Sequence, residues 1–200
     1  MVKPFTISGT DFRGPFMMQM SNNGRLKTTK GYVAIFICFS TRAVHLEAVS
    51  DLNAAAFVAA FRRFISRRGN IAKLYSDNGG NFVKAKTIFE LETSQAISEF
   101  NEEIKRELAN LSTKFYFNPP AAPWFGGLWE RNIGSIKHHF KRVVGDRILS
   151  YEEMTTVLTQ IEACFNSRPL CAMNENPDDM TILTPGHFLI GSALTAPVGP

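Results

Sequence analysis

Two apolar runs separated by only two residues restrict the folds open to this chain more than any other feature. The runs are GYVAIFICFS (31–40) and AVHLEAV (43–49). Short runs rich in Val, Ile and Phe are typical of strands. A connection of two residues joins antiparallel neighbours, because parallel strands need a crossover of a dozen residues or more. An antiparallel hairpin is therefore expected here.

A helix and a further strand follow the hairpin. Asp51 or Asn53 can cap a helix that runs to about Arg68, and Gly69 ends it. IAKLYS (71–76) is then typical of a short strand. With FTISGTDF (5–12) as the first strand and KFYF (114–117) as the last, this order predicts a mixed α/β sheet. The helix should bury a face at the spacing i, i+4, i+7 and i+8, formed by Phe57, Phe61, Phe64 and Ile65.

The second half of the chain is predicted to be mainly helical. Residues 84–112 are charged and favour helix, whereas the prolines and glycines of NPPAAPWFGG (118–127) predict a loop. Helices are expected from about Leu128 to Val144 and from Tyr151 to about Asn166, the latter beginning with a capping box. The Pro-punctuated tail should pack over the domain through HFLI (187–190).

Composition indicates an ordinary globular protein. Of the 200 residues, 44% are hydrophobic and 20% are charged, which favours one domain with a proper core. We expect residues 1–170 to form that domain and residues 171–200 to be its C-terminal extension. The three cysteines match no paired CxxC pattern, so neither a disulfide framework nor a structural zinc site is expected.

Hydropathy indicates a location inside the cell and away from membranes. The longest apolar runs are far shorter than the roughly 20 residues that cross a bilayer. The N-terminal residues also lack the apolar stretch of a signal peptide. A soluble, intracellular protein, nuclear or cytoplasmic, is expected.

The net charge of +4 is unevenly distributed. One basic block lies between Leu52 and Ser76, where there is no acid, and a second follows Glu130. Such blocks suit a polyanion, since phosphates release counterions on binding, but each is also compatible with an ordinary solvated helix face. The blocks are Arg62, Arg63, Arg67, Arg68 and Lys73, then Arg131, Lys137, Lys141, Arg142 and Arg147.

Three carboxylates occupy the ends of predicted elements. Asp11 ends the first strand, Asp77 ends the strand after the helix, and Glu130 lies in the first turn of the helix that leaves the Gly/Pro loop. The segment that contains Asp77, YSDNGGNF (75–82), also suits a plain β-turn. Three such acids favour Mg²⁺, which prefers oxygen ligands. Two ions about 4 Å apart could serve an in-line displacement at phosphorus.

One edge of the predicted helix that contains Glu130 carries both an acid and two lysines. Lys137 and Lys141 follow Glu130 at i+7 and i+11, so all three should lie along one side of the helix. This arrangement suits a carboxylate that binds metal beside lysines that follow a phosphate backbone. It equally suits lysines that snorkel at the boundary of a core. The adjacent apolar stripe is Trp129, Ile133, Ile136, Phe140 and Val143.

Five motifs, in the family's order, resemble the catalytic core of retroviral-type integrases, most closely the BEL/Pao group of LTR retrotransposons. The resemblance implies an RNase H-like fold with a mixed five-stranded sheet flanked by helices. It also implies a D,D,E site that uses two Mg²⁺ or Mn²⁺ ions and no other cofactor. The motifs are TDFRGPF (10–16), AVHLEAVSD (43–51), YSDNGGNF (75–82), PPAAPWFGGLWERNIGSIKHHFKRV (119–143) and NSRPL…LTPGHFLIG (166–191).

The resemblance assigns roles to individual residues. Asp11, Asp77 and Glu130 match the family's catalytic, metal-binding acids. Lys137 stands where the family has a DNA-contacting lysine. Further DNA contacts are expected from Asn78 and Asn81 of the DNGxNF pattern and from Arg131 and Lys141 of the basic block.

This sequence also departs from the family pattern. Fifty-two residues separate Asp77 from Glu130, more than is usual in retroviral enzymes, so residues 84–112 are expected to carry extra helix. Gly134 replaces a second family lysine. The zinc-binding N-terminal and small C-terminal modules of complete integrases are not found in the sequence.

The leading hypothesis is an integrase-type polynucleotidyl transferase that processes the 3′ ends of retroelement DNA and joins them to target DNA, and that forms a homo-oligomer. A cut-and-paste DDE transposase or a plain RNase H-type nuclease is a second hypothesis. A third is a domesticated nucleic-acid-binding domain that has lost catalysis.

Overall fold

One mixed sheet organises the molecule. The computed structural model describes residues 3–22, 25–76, 84, 87, 113–117, 123–145, 147–174 and 181–194. The order of the five main strands is β3-β2-β1-β4-β5, antiparallel between the first three and parallel from β1 to β5, and the two-residue β6 pairs with the far end of β1. The strands are β1 (Ile7–Asn22), β2 (Arg25–Cys38), β3 (Val44–Val49), β4 (Lys73–Ser76), β5 (Lys114–Phe117) and β6 (Leu149–Ser150).

Four helices and a small second sheet complete the described part of the chain. Residues 84 and 87 are also helical, and the rest of the predicted helical segment 84–112 lies outside the described residues. No helix among the described residues is long and apolar enough to cross a membrane. The elements are α1 (Ala54–Arg68), α2 (Pro123–Val144), α3 (Tyr151–Asn166) and α4 (Pro185–Ile190), with β7 (Cys171–Ala172) paired to β8 (Ile182–Leu183).

The predicted β2–β3 hairpin is confirmed. The backbone N–H of Cys38 donates to the carbonyl of Ala43 across the connection, at 2.8 Å. The first and second strands are longer than predicted. β1 continues to Asn22 and β2 begins at Arg25, and these added residues pair as a second antiparallel hairpin. The register of that pair shifts by one residue between Arg13 and Phe16. Odd-numbered residues of β1 therefore point to the α2 side before the shift, and even-numbered residues do so after it.

The two faces of the sheet bury two separate apolar clusters. In β2, Ala34, Phe36 and Cys38 point to the side covered by α1, whereas Val33, Ile35 and Ile37 point to the side covered by α2 and α3. The α1 side is a stack of aromatic rings, with the centroids of Phe36 and Phe64 4.1 Å apart. Such ring pairs contribute about 0.5–1.5 kcal/mol each beyond burial of their area.

The predicted ends of α1 and α3 are confirmed. Asn53 accepts from the backbone N–H of Ala56 at the start of α1, and Gly69, at φ 82°, ends that helix. This φ favours glycine, because a side chain there meets steric strain. Ser150 and Glu153 form the expected capping box of α3.

Two expectations about α2 are wrong. The helix begins at Pro123 rather than Leu128, because proline is tolerated in a first turn, where its missing N–H has no partner to lose. Glu130 therefore lies about two turns into the helix instead of in its first turn. The buried stripe ends on Val144, four residues after Phe140, and Val143 is 44% exposed beside a groove.

The tail packs against the domain as expected. Leu189, in α4, contacts the cluster on the α1 side. Thr184, the residue before α4, is fully buried. The segment HFLI thus connects the C-terminal part of the chain to the core.

Side chains of α3 cover the edge of the sheet at β3. The buried amide of Asn166 accepts from the N–H of Val44 and donates to its carbonyl, both at 2.8 Å. Glu162 accepts from the N–H of Leu46 at 2.9 Å. Because an exposed strand edge invites pairing with another chain, these contacts both dock α3 and close the edge.

We expect Asn166→Ala to destabilise the fold by about 2–4 kcal/mol, because both backbone groups of Val44 would be buried without partners. Urea unfolding at neutral pH measures this change. Thr159→Ala, on the exposed side of the same helix, is the matched control and should change stability by less than about 0.5 kcal/mol. Equal stability of Asn166→Ala and Thr159→Ala would contradict the assigned role.

Candidate active site around Asp11

Asp11 lies within the central strand and not at its end as predicted, because β1 continues to Asn22 in the hairpin with β2. It faces the side of the sheet covered by α2 and α3. Its Cα pairs with that of Ile35, which is buried in the cluster on that side. Oδ1 accepts from the backbone N–H of Phe12 at 2.7 Å, and Oδ2 accepts from Nζ of Lys137 at 2.6 Å. Both side chains of the pair are 29% exposed. The carboxylate is therefore held on two sides but remains open to solvent.

Lys137 is brought to Asp11 by the packing of α2. Its neighbour Ile136 is buried in the cluster on this face, and so is Phe140 one turn later. With these two side chains against the sheet, Lys137 lies at the margin of the contact. The lysine stem is half-buried and its ammonium reaches the carboxylate, so snorkelling at the core boundary and contact with Asp11 occur together.

Arg13 is a candidate that the sequence analysis missed. It lies two residues after Asp11 and pairs with Val33, so both side chains project to the same face. Its Nε is buried and has no hydrogen-bond partner among the described residues. A guanidinium group beside a carboxylate and an ammonium group suits an anionic ligand. Arg13 belongs to the TDFRGPF motif, but only the strand register shows that its side chain points to the same face as that of Asp11.

The other predicted site residues are only partly covered by the structure. Lys141 is exposed one turn beyond Lys137. Glu130 and Arg131 lie in α2, but their side chains are outside the described residues, as are Asp77, Asn78 and Asn81 altogether. Of the predicted residues, the structure thus brings Asp11 and Lys137 into contact.

The chemistry of Asp11 is compatible with a hard divalent cation. A half-exposed carboxylate whose Oδ2 already accepts from a cation is a suitable oxygen ligand. No group of three or more His, Cys, Asp or Glu side chains in the described ranges could hold a metal ion by itself. Of the three predicted ligands, only the side chain of Asp11 lies in those ranges.

A groove of about 600 Å³ between α2 and α3 is a separate feature. Its lining is mostly apolar and includes Val143, Ile161 and Phe165. Neither Asp11 nor Lys137 lines it, so it does not belong to the carboxylate site.

Comparison with models of known protein families gives no match, and comparison with curated proteins gives none either. Among solved structures, a chain of the simian T-cell lymphotropic virus intasome, in complex with PP2A regulatory subunit B56 gamma, matches with a TM-score of 0.53 and 14% identity. The match covers 98% of this chain and 56% of that one. Two structures of the HTLV-2 integrase catalytic core domain in complex with magnesium, trimeric and dimeric, match with TM-scores of 0.48 at 16% and 15% identity. They cover 86% and 84% of this chain and 90% of each core domain.

The chain has an RNase H-like fold, a five-stranded mixed sheet flanked by helices, as in the intasome chain that it matches. The five-stranded mixed sheet, expected from the strand pattern and from the resemblance, is confirmed. The chain spans little more than half of the intasome chain that it matches.

A second cluster of ionisable groups surrounds His45 of β3. Its Nε2 lies 2.9 Å from Oε1 of Glu47, and its Nδ1 lies 3.2 Å from Oε2 of Glu162. All three side chains are buried, and the imidazole stacks on Phe64 with 5.1 Å between centroids. Because both carboxylates are already occupied by cations, this cluster serves to join α1, β3 and α3 rather than to bind a substrate.

Most of the first basic block belongs to this buried cluster. Arg63 and Arg67 donate to Glu47 at 2.6 and 2.7 Å, and Arg68 pairs with Glu162. These three arginines are therefore neither a phosphate-binding surface nor an ordinary solvated face, whereas Lys73 of the same block lies on β4, outside this cluster. The arginines pair with carboxylates that would otherwise be buried with an uncompensated negative charge.

Burial and the two neighbouring acids have opposite effects on His45. Burial opposes its charged form, but hydrogen bonds to Glu162 and Glu47 outweigh burial, so the pKa of His45 is raised. Burial of Glu47 would raise the pKa of that carboxyl, but hydrogen bonds from His45 and Arg63 outweigh burial and lower the pKa instead. The two shifts favour an imidazolium between two carboxylates.

We expect the stability that protonated His45 contributes to be complete below about pH 6.5, its pKa in the unfolded chain, and to be lost as the pH rises through the higher folded pKa. The charged groups that face it are Glu47, Arg68 and Glu162. In His45→Gln this loss should be absent, and stability near pH 6 should fall by about 1–3 kcal/mol.

Urea unfolding between about pH 6 and pH 9 tests this expectation. His138→Gln, an exposed histidine of α2, is the matched control and should keep the pH dependence of the original chain. The same slope in His45→Gln and in the original chain would show that His45 is neutral when folded.

Proposed function

We propose that this chain is the catalytic core of a metal-dependent polynucleotidyl transferase of the integrase type. One observation carries the proposal: in an integrase-core fold, the carboxylate of central-strand Asp11 lies 2.6 Å from the ammonium of Lys137. These two residues are the first acid and the DNA-contacting lysine that the resemblance assigned independently of any structure.

The chain connectivity supports adding Asp77 and Glu130 to the site. Asp77 directly follows Ser76, the last residue of β4, in the sequence. In the same parallel ladder Tyr75 pairs with Gly9, two residues before Asp11. Glu130 precedes Lys137 by seven residues, two turns along the same edge of α2. Asp77 thus follows the strand that pairs with β1, and Glu130 lies on the helix that supplies Lys137.

In the proposed reaction, water attacks a phosphodiester near the end of retroelement DNA, and the resulting 3′-hydroxyl attacks target DNA. Mg²⁺ or Mn²⁺, when bound, would act as a Lewis acid on the reacting phosphate. Asp11, Asp77 and Glu130 would hold two such ions. Lys137 would transfer its hydrogen bond from Asp11 to a phosphate oxygen, and Arg13 would contact the same backbone.

The finer assignments are part of this proposal. The chain would belong to the BEL/Pao type of element, with residues 1–170 as the core and 171–200 as its extension. Asn78, Asn81, Arg131 and Lys141 would contact retroelement or target DNA. The active form would be a homo-oligomer in the nucleus or cytoplasm.

We expect purified protein with Mn²⁺ or Mg²⁺ to resolve a branched disintegration substrate. Asp11→Asn, Asp77→Asn and Glu130→Gln should each lower the rate by about 10³-fold, because losing a ligand removes several kcal/mol of transition-state stabilisation. Glu152→Gln, an exposed glutamate of α3, is the control and should keep the rate within about twofold.

Each outcome of this assay has a distinct meaning. Full activity of Asp77→Asn would remove that residue from the site. An inactive original chain that still binds DNA in a salt-sensitive way would favour a domesticated binding domain over an enzyme. Hydrolysis of the substrate without joining would favour a plain nuclease.

We also expect Lys137→Met to strengthen Mn²⁺ binding about two- to fivefold, because a half-exposed ion pair worth about 0.5–1 kcal/mol no longer competes for Asp11. Electron paramagnetic resonance of free Mn²⁺ measures this without any turnover. Lys141→Met, on the exposed side of α2, should leave the affinity unchanged. Weaker binding by Lys137→Met would contradict a cation site at Asp11.

A further inference from the structure

A surface of aromatic rings and lysines lies on the β4–β5 half of the sheet, on the face opposite α1. The parallel register pairs Lys73 with Lys114 and Tyr75 with Tyr116, so these four side chains stand in two adjacent rows. Between them, Leu74 and Phe115 point the other way, into the cluster beneath α1. We call the four residues, together with Phe39, the tyrosine–lysine face.

Three aromatic rings form a ladder across this face. The centroids of Phe39 and Tyr75 are 5.3 Å apart at 30°, and those of Tyr75 and Tyr116 are 5.0 Å apart at 15°. The ladder ends on Tyr116, which is 37% exposed and belongs to the outermost strand of the main strand order. Another planar ring could extend the stack from there, because offset rings attract one another at this spacing.

The two lysines give this face a positive charge that no acid of the described ranges balances. Lys73 and Lys114 lie directly opposite each other, and like charges in this position destabilise a sheet. Neither forms an ion pair with an acid in the described part of the chain. Nζ of Lys73 lies 5.7 Å from the centroid of Tyr116, so positive charge and exposed ring are adjacent.

This face leads toward the carboxylate site. Lys73 pairs with Ile7 and Tyr75 pairs with Gly9 on β1, and Asp11 follows Gly9 by two residues on the same face. At about 3.3 Å per residue, the tyrosine row lies roughly 7 Å from Asp11 along the strand direction, and the lysine row lies further away.

We propose that the tyrosine–lysine face binds an unpaired strand of DNA, with one base stacked on Tyr116 and the backbone phosphates on Lys73 and Lys114. Rings beside lysines suit a ligand that carries both planar groups and negative charge, as a single strand does. A duplex suits the face less, because its bases already stack on one another. The proposal goes beyond the proposed function, since such binding requires no metal and no turnover.

Fluorescence anisotropy with a labelled oligothymidylate of about 12 nucleotides tests the stacking contact. Tyr116→Leu should weaken binding about 5- to 150-fold, the range measured when one base-stacking ring is lost. Tyr116→Trp should bind within about twofold of the original chain. Tyr151→Leu, which removes an exposed tyrosine of α3, is the matched control and should have no effect. Binding of a blunt duplex should change less than about twofold in all three variants.

A second variant tests the phosphate contact. Lys114→Gln should reduce the slope of log affinity against log salt concentration by about 0.7, the value for one phosphate of a single strand. Circular dichroism establishes that each variant is folded. A 2-aminopurine base in the oligonucleotide should be quenched on binding to the original chain and not to Tyr116→Leu.

The results separate this proposal from the proposed function. Binding by folded Tyr116→Leu within twofold of the original chain, or equal losses for single strand and duplex, would overturn the tyrosine–lysine face. If disintegration fails while single-strand binding depends on Tyr116, the face is supported and the catalytic proposal is not. If disintegration succeeds and Tyr116 has no effect on single-strand binding, the reverse holds.

Discussion

The alternation of side chains along β1 is the constraint on which the rest of the structure depends. In the first part of the strand, Ser8 and Thr10 point beneath α1 and are buried, whereas Asp11 and Arg13 point to the opposite face. Parallel pairing extends this division to β4 and β5. As a result, α2, the carboxylate of Asp11 and the tyrosine–lysine face all lie on one side of the sheet.

The structure uses its basic residues for two different purposes. Arg63, Arg67 and Arg68 neutralise the buried Glu47 and Glu162, and so hold α1 and α3 against the edge strand. Lys137, in contrast, meets a carboxylate that is still open to solvent. A pair whose carboxylate is open to solvent can be exchanged for a ligand at low cost, whereas a pair whose carboxylate is buried cannot.

Elements with strong local signals were predicted well. The β2–β3 hairpin, the ends of α1 and the capping box of α3 follow from short-range patterns that act within a few residues. The start of α2 differs from the prediction because proline, which breaks a helix interior, is well suited to a first helical turn. Val143 and Val144 both fit the helical spacing of the apolar stripe, and only the packing of α2 in the folded chain decides that Val144 is buried and Val143 is exposed.

The sequence by itself determined most of the strands and helices and supplied the acids that a metal site would need. Its motifs also carried the resemblance from which the fold was expected. Only the tertiary structure decided that Asp11 meets Lys137, 126 residues away, and that Asn166 closes the edge of β3. It also decided that Arg13 joins the face of Asp11 and that Tyr75 stacks on Tyr116. The physical reason is that such contacts depend on strand register and helix docking. These are set by the packing of the whole core and not by any local pattern.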